Sequence, residues 1–393
     1  MKKTERNMLE GPLAWGILSY TIPIILTSYL QLLFNAADLV VVGRFCGSIS
    51  VAAVGVTGAI TNLIVNLFIG LSVGAGVSVA HAIGSREDEV VHRTVHTALL
   101  MALVGGVLLT VVGVRYSTTF LRWMDTPENV LPLSSLYMRI YFGGITFTLV
   151  YNYCTSILRA AGDTQSPMII LMVAGLLNVV LNVVFVSGFH MNVDGVAWAT
   201  VISQAVSAVA VTVVLMNRKD ACRFHPKKMR IYGPQLKKIV RIGLPAGIQG
   251  ATFSISNVII QSSMNSFGDA MVSGNAAVSN VEGFCYSAVN GFHQAAVNYI
   301  GQNVGAHQFE RVKKVFWMCV LYATLAGLIT GGVMIFVWKF AISKLGGMFA
   351  IYELLPAFLC ALIAIVVVSL LTKAPEQEIV DEFEAVSAEM KQK

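Results

Sequence analysis

Three polar residues interrupt the end of the first apolar run, in Gln31-Leu-Leu-Phe-Asn35-Ala-Ala-Asp38-Leu-Val-Val-Val-Gly43-Arg44. On a helix Gln31, Asn35 and Asp38 fall at i, i+4 and i+7, along one face. A carboxylate at the centre of a membrane helix costs about 2.5 to 3.5 kcal/mol on insertion scales, so one that is kept faces a cavity or a partner. Asp38 therefore reads as a functional acid. The competing reading is a helix-end aspartate wetted at the interface, because Gly43 and Arg44 follow within a turn and a half.

Other apolar segments carry ordered polar sets. Asn178 and Asn182 stand at i, i+4, and Thr200 precedes Ser203 and Gln204. Alternating span direction puts Asp38, Asn178, Asn182 and Thr200 at one depth, in the outer half of the membrane. Oxygen-bearing side chains from three helices at one depth could surround a small cation, or hold a proton on Asp38. Ordinary interhelical hydrogen bonding is the alternative, since Asn and Thr are common glue between membrane helices. Further on, Gln249, Asn257, Gln261 and Asn265 recur at multiples of four, and Glu282 is followed by Asn290, His293, Gln294 and Asn298. Polar stripes turned to lipid would be costly, so these are expected to line a water-filled cavity, with Gln31, Asn35, Gln249, Asn257, Gln261 and Glu282 as cavity or substrate candidates. Pro23 and Pro245 sit at matching places in two spans, where each weakens the local ladder and permits a bend. Gly70-Leu-Ser-Val-Gly74-Ala-Gly76 follows no strand and precedes no Lys-Ser/Thr pair, so small-residue helix packing explains it, not nucleotide binding. With no nucleotide site, energy for transport must come from an ion gradient or a partner.

The elements that must position these residues are membrane spans. The chain of 393 residues is 56% hydrophobic and only 12% charged, which excludes an ordinary soluble protein of this length. The net charge of +6 comes from basic residues lying between apolar runs, so it marks topology and not nucleic-acid binding. Apolar segments long enough to cross a bilayer are placed at about 13–42, 56–80, 97–114, 136–158, 168–187, 195–216, 242–266, 278–300, 316–338 and 349–371. With the N-terminus inside, 21 Lys and Arg fall on the inner side and six on the outer, which places both termini in the cytoplasm. The six cysteines form neither a CxxC pair nor a zinc-type cluster, so neither disulfide nor structural metal is expected.

The basic stretch 218–241 divides the chain. Tyr20-Thr-Ile-Pro23 is echoed by Ile242-Gly-Leu-Pro245, and Ile83-Gly-Ser-Arg-Glu-Asp-Glu89 by Val304-Gly-Ala-His-Gln-Phe-Glu310, at offsets differing by one residue. Two matches at nearly one offset indicate duplication. Six spans precede the linker, so the halves are related by an axis along the membrane normal. The expected organisation is a six-helix lobe over 1–217, the linker 218–241, a partial second lobe of three helices over 242–345, and a last helix with an acidic tail over 346–393.

Asp38 with Val42-Gly43-Arg44, the turn Leu158-Arg-Ala-Ala-Gly162-Asp-Thr164, Asn178, and Gly301-Gln-Asn-Val-Gly305-Ala306 together resemble multidrug and toxic compound extrusion (MATE) transporters, over about residues 10–340. The resemblance implies an all-α polytopic exporter of two six-helix lobes that expels organic cations in exchange for Na+ or H+. It also implies that Asp38, Asn178 and Thr200 belong to a cation site, with Na+ at Asp38 as the one metal to consider. Many members of the family have aspartate where this chain has Asn182, so one site charge is missing. The segments Gly346–Phe358 and Ile365–Pro375 are similar to the C-terminus of a sodium/proline symporter, which suggests a junction at 343–347. The expected protein is a non-enzymatic efflux transporter of a bacterial-type cell membrane, monomeric, without cofactor, whose partners are amphipathic cations and membrane lipid. The alternatives are a transport-inactive truncated or chimeric protein, and a lipid-precursor flippase.

Overall fold

The computed structural model describes residues 7–124, 126–265 and 269–337. The tenth expected span at 349–371, the 343–347 junction and the acidic tail lie outside the described residues. Ten α-helices follow in chain order: α1 (Leu13–Phe45), α2 (Ser48–Gly84), α3 (Asp88–Trp123), α4 (Leu131–Gly143), α5 (Ile145–Ala160), α6 (Gln165–Val183), α7 (Val193–Met216), α8 (Gly233–Asn265), α9 (Asp269–Gly305) and α10 (Phe309–Val337). No strand occurs among the described residues. The helices through Gly331 pack as one unit, and of the second unit, Gly332–Lys393, the described residues are the last turns of α10.

Six of these helices are long and apolar enough to cross a membrane: α1, α2 from Ile49, α3, α6 with its extension to Gly188, α7, and α10 as far as Val333. Three departures from the expected spans have local causes. The span at 136–158 is two helices, α4 and α5, which break at the consecutive glycines Gly143 and Gly144. The fifth span ends where expected, at 168–187, but its last turn, Val184–Gly188, is π-helical. Helices α8 and α9 have 33 and 37 residues, and over their described residues neither is among the six. They carry the Gln249–Asn265 and Glu282–Asn298 stripes.

The largest core is built mainly by the first half, with Ile239 of α8 joining it. Val79, Val95, Leu99, Phe142, Leu149 and Val211 join α2, α3, α4, α5 and α7 in one buried cluster that also takes in Phe224 of the linker. Helix α6 is started by Asp163, whose carboxylate accepts from the Ser166 N–H at 3.0 Å and from its hydroxyl at 2.6 Å, satisfying a donor that every helix N-terminus leaves orphaned.

Helix α1 belongs to two clusters at once. Near its start Ile17, Tyr20 and Ile24 are buried against Phe292 and Tyr299 of α9 and Val315 and Cys319 of α10. At its other end Val41 and Val42 pack with Val186 of the π turn and Val196 of α7, with Val51, Val54 and Tyr137 around them. Pro23 lies within the first of these, buried, and the helix runs through it; its carbonyl accepts the Thr27 hydroxyl at 2.7 Å.

Candidate ion-coupling site

The residues of the Asp38 site are brought together by one close helix approach. The Phe34 ring of α1 lies so near Gly175 of α6 that a Cβ there would come within 1.8 Å of Cε2. That contact sits one turn before Asp38 on one helix and just before Asn178 on the other. Across it the Asn182 Nδ2 donates to Asp38 Oδ1, and also to Asn178 Oδ1 at 3.2 Å. Asn182 is fully buried and Asn178 is 6% exposed, while Asp38 is half-buried. The Asn182 Oδ1 is buried and has no hydrogen-bond partner among the described residues. The Tyr137 side chain of α4 is within electrostatic reach of the carboxylate. The arrangement is therefore one acid, an amide that donates to it, and two amide oxygens, one of them unused. An ionised carboxylate with amide carbonyls is a donor set for a small hard cation, and the same carboxylate can take a proton.

The other expected site residues divide. Thr200 on α7 donates its hydroxyl to the Val196 carbonyl at 3.0 Å and makes no hydrogen bond to Asp38, Asn178 or Asn182. Gln31 and Asn35 are exposed along α1 on the approach to Asp38. Gln249 and Asn257 of α8 and Glu282 of α9 are exposed as well, on the other half of the chain. Gln261 lies on α8; its side chain is outside the described residues. Pro245 lies within α8, which like α1 continues through its proline.

The halves of the chain meet across a seam toward the linker side. Helices α2 and α8 cross where Gly70 faces Gly247, so closely that a Cβ on Gly70 would lie 2.1 Å from the Gly247 nitrogen. Gly74 faces Gly243 in the same way, which upholds the reading of this glycine run as helix packing. Beside the seam Asn66 Nδ2 donates to Ser254 Oγ at 2.9 Å, Gln302 Nε2 to the Ala160 carbonyl at 2.7 Å, and Asn303 Nδ2 to the Met8 carbonyl at 3.1 Å.

Two residues not singled out from the sequence join this seam. The Tyr20 hydroxyl donates to the Arg159 carbonyl at 2.8 Å, and the Arg159 guanidinium donates to Gln294 Oε1 of α9. Arg159, from the Leu158–Thr164 turn, is also an inner-side charge, and its buried Nε has no partner among the described residues. Its place in the Leu158–Thr164 turn, between spans, made it look solvated.

Apolar helices of membrane length, an acid cradled by amides between two of them, and polar bonds joining two chain halves are features of a multi-pass membrane transporter. The family model described as MatE matches residues 23–184 and 245–374, and the chain belongs to the multidrug and toxic compound extrusion (MATE) family. The second match continues past 343–347, so it gives the expected junction and the symporter resemblance no support. The chain is 29% identical over 333 residues to the probable multidrug resistance protein YoeA of Bacillus subtilis, covering 82% of this chain and 71% of that protein. It is 27% identical over 308 residues to the probable multidrug resistance protein YpnP of the same organism, covering 78% and 68%. Among solved structures, one described as the outward-facing conformation of a multidrug resistance MATE family transporter superposes with a TM-score of 0.80 at 24% identity, covering 87% of this chain and 75% of that one.

Proposed function

We propose that this protein exports organic cations across the cell membrane in exchange for H+ or Na+, with Asp38, Asn178 and Asn182 as the coupling site. Relatives named as multidrug resistance proteins support the export half of this reading. The observation that carries the coupling half is the Asn182 amide, which donates to Asp38 while its own oxygen stays buried and unpartnered. An empty, ionised Asp38 accepts that amide. Protonation removes the charge that makes the bond strong. A sodium ion would draw on the carboxylate together with the Asn178 and Asn182 oxygens, and on a lone pair of Thr200 if α7 turns toward it. Each ligand thus favours a different arrangement of α1 and α6. Because α1 is buried at its start among α9 and α10, a shift at Asp38 is passed to the helices of the other half. Gln31, Asn35, Gln249, Asn257, Gln261 and Glu282 then line the substrate route, and the basic linker lies on the cytoplasmic side. The protein works as a monomer.

Efflux from membrane vesicles under an imposed pH or sodium gradient tests this. Asp38→Asn should lower gradient-driven export of a cationic dye at least tenfold while leaving the protein in the membrane. Full gradient-driven export by that variant would overturn the coupling role.

A further inference from the structure

An apolar groove of about 360 Å³ runs along the outside of the first half, between α3, α5, α7 and the linker. Leu103, Phe147, Val150, Val209 and Met216 form its walls, and Phe224 of the linker closes one end. Two threonines also line it, and both spend their hydroxyls internally. Thr212 donates to the Ala208 carbonyl at 2.7 Å, and Thr146 pairs with Thr110 at 3.4 Å. The groove therefore offers no free hydrogen-bonding group, and its occupant must be hydrocarbon. Val209 is 60% exposed, so the groove opens sideways, toward where lipid would be.

A cation stands at its linker end. The exposed Arg223 donates from Nε to the carbonyl of Met216, itself a groove residue, at 3.1 Å. No carboxylate is paired with Arg223 among the described residues, and the nearby Asp220 is occupied by Arg218, at 2.9 Å from its Nε. Over 217–232 the linker has six basic residues against one acid. The linker is also fastened in place. The His225 N–H donates to His96 Nε2 at 3.1 Å, the Tyr232 N–H to Thr97 Oγ1 at 3.2 Å, the Phe224 N–H to the Leu215 carbonyl at 3.2 Å, and the Arg93 guanidinium lies 5.4 Å from the Tyr232 ring centroid. Arg223 is thus held at the mouth of a hydrocarbon slot.

We propose that this groove binds the acyl chain of one anionic phospholipid from the leaflet facing the linker, with the lipid phosphate paired to Arg223. The charge at the mouth repels an organic cation, so the groove is not a branch of the export route. A bound lipid would join the linker to α3, α5 and α7 and stabilise the first half against detergent.

Native mass spectrometry of the purified full chain tests the assignment, with phosphatidylglycerol and phosphatidylcholine of matched chains offered in equal amounts. One phosphatidylglycerol per chain should be retained in preference. Arg223→Gln should lower that preference roughly fivefold, the effect of removing one cation near an anionic lipid surface, and Arg223→Lys should keep it. Val209→Trp, which fills the groove from an exposed position, should remove both lipids while melting at the same temperature as the unaltered chain stripped of lipid. An unchanged preference in Arg223→Gln, or unchanged lipid retention in Val209→Trp, would overturn the proposal.

Discussion

Replacing Gly70 by alanine would set a methyl carbon 2.1 Å from the Gly247 nitrogen and 2.2 Å from its Cα. Both are backbone atoms, so no rotamer change relieves the overlap. To restore ordinary contact, α2 and α8 must separate by about 1.3 Å, and the packing between them is lost over that distance. Small-to-large changes in packed interfaces cost typically about 1–3 kcal/mol. The gain in helix preference from Gly to Ala, about 1 kcal/mol, acts on α2 in every arrangement and cancels. If the strain falls only on the arrangement in which the seam is closed, the ratio of closed to open molecules drops roughly 5- to 150-fold. Spin labels introduced at Glu87→Cys and Lys237→Cys, both exposed near the linker-side ends of α2 and α8, report the separation by pulsed electron resonance. The short distance should dominate in the unaltered seam and be replaced by a longer, broader one in Gly70→Ala. Gly58 lies on the same helix with nothing within 4 Å of a built Cβ, so Gly58→Ala is the matched control and should change nothing. An unchanged distance distribution in Gly70→Ala, with an unchanged melting temperature, would show that the α2–α8 crossing does not hold the two halves together.

Two further outcomes follow from other parts of the molecule. Asn182→Asp places a second carboxylate against Asp38, where two like charges about 3 Å apart repel by roughly 5 kcal/mol at an effective dielectric near 20. A small cation between them relieves that repulsion, so sodium at constant ionic strength should raise the melting temperature of the variant more than that of the unaltered chain. An equal response to sodium and potassium in the variant would refute a cation site there. In the linker, partial burial, then Arg223, Lys228 and His96, hold the His225 imidazole below its ordinary value of 6.5. The unfolded linker then takes the proton first, so the attachment is fully stable above pH 6.5 and loses stability as the pH falls below it. Amide exchange at His225 and Tyr232, corrected for intrinsic rates, should therefore speed up on acidification, and His225→Asn should weaken the pH dependence that exceeds the intrinsic one, leaving the part that arises because His96 Nε2 must keep its lone pair to accept the backbone N–H.

Much of the site is legible in the sequence, for a physical reason. Asn178 and Asn182 are one helical turn apart, and an acid in an apolar run demands a partner, so the hydrogen-bonded trio with Asp38 follows from spacing and desolvation cost. Thr200 shares their depth but bonds within its own helix, because depth gives the position along an axis and not the rotation about it. The glycine run at Gly70–Gly76 announces close packing but not the helix it packs against; Gly247 becomes its neighbour only through the meeting of the two halves. The partner of Arg159 is not legible in the sequence because a basic residue between spans ordinarily faces water, whereas here the approach of α9 brings Gln294 to it. The break between α4 and α5 has a plain signal in Gly143-Gly144, outweighed by the apolar character of the span around it.

Asn182 stands beside Asp38 as a neutral amide, and that has an electrical consequence. A cycle coupled through this one carboxylate can carry back only a single positive charge for each turnover. Exchange of one monovalent drug cation for one proton or sodium ion then moves no net charge across the bilayer. Such a cycle would be driven by the concentration gradient of the coupling ion and would be indifferent to membrane voltage. A second aspartate at position 182 would add a negative charge that one shared cation leaves uncompensated, and the site would then carry a different net charge across the bilayer, which makes the same exchange sensitive to voltage.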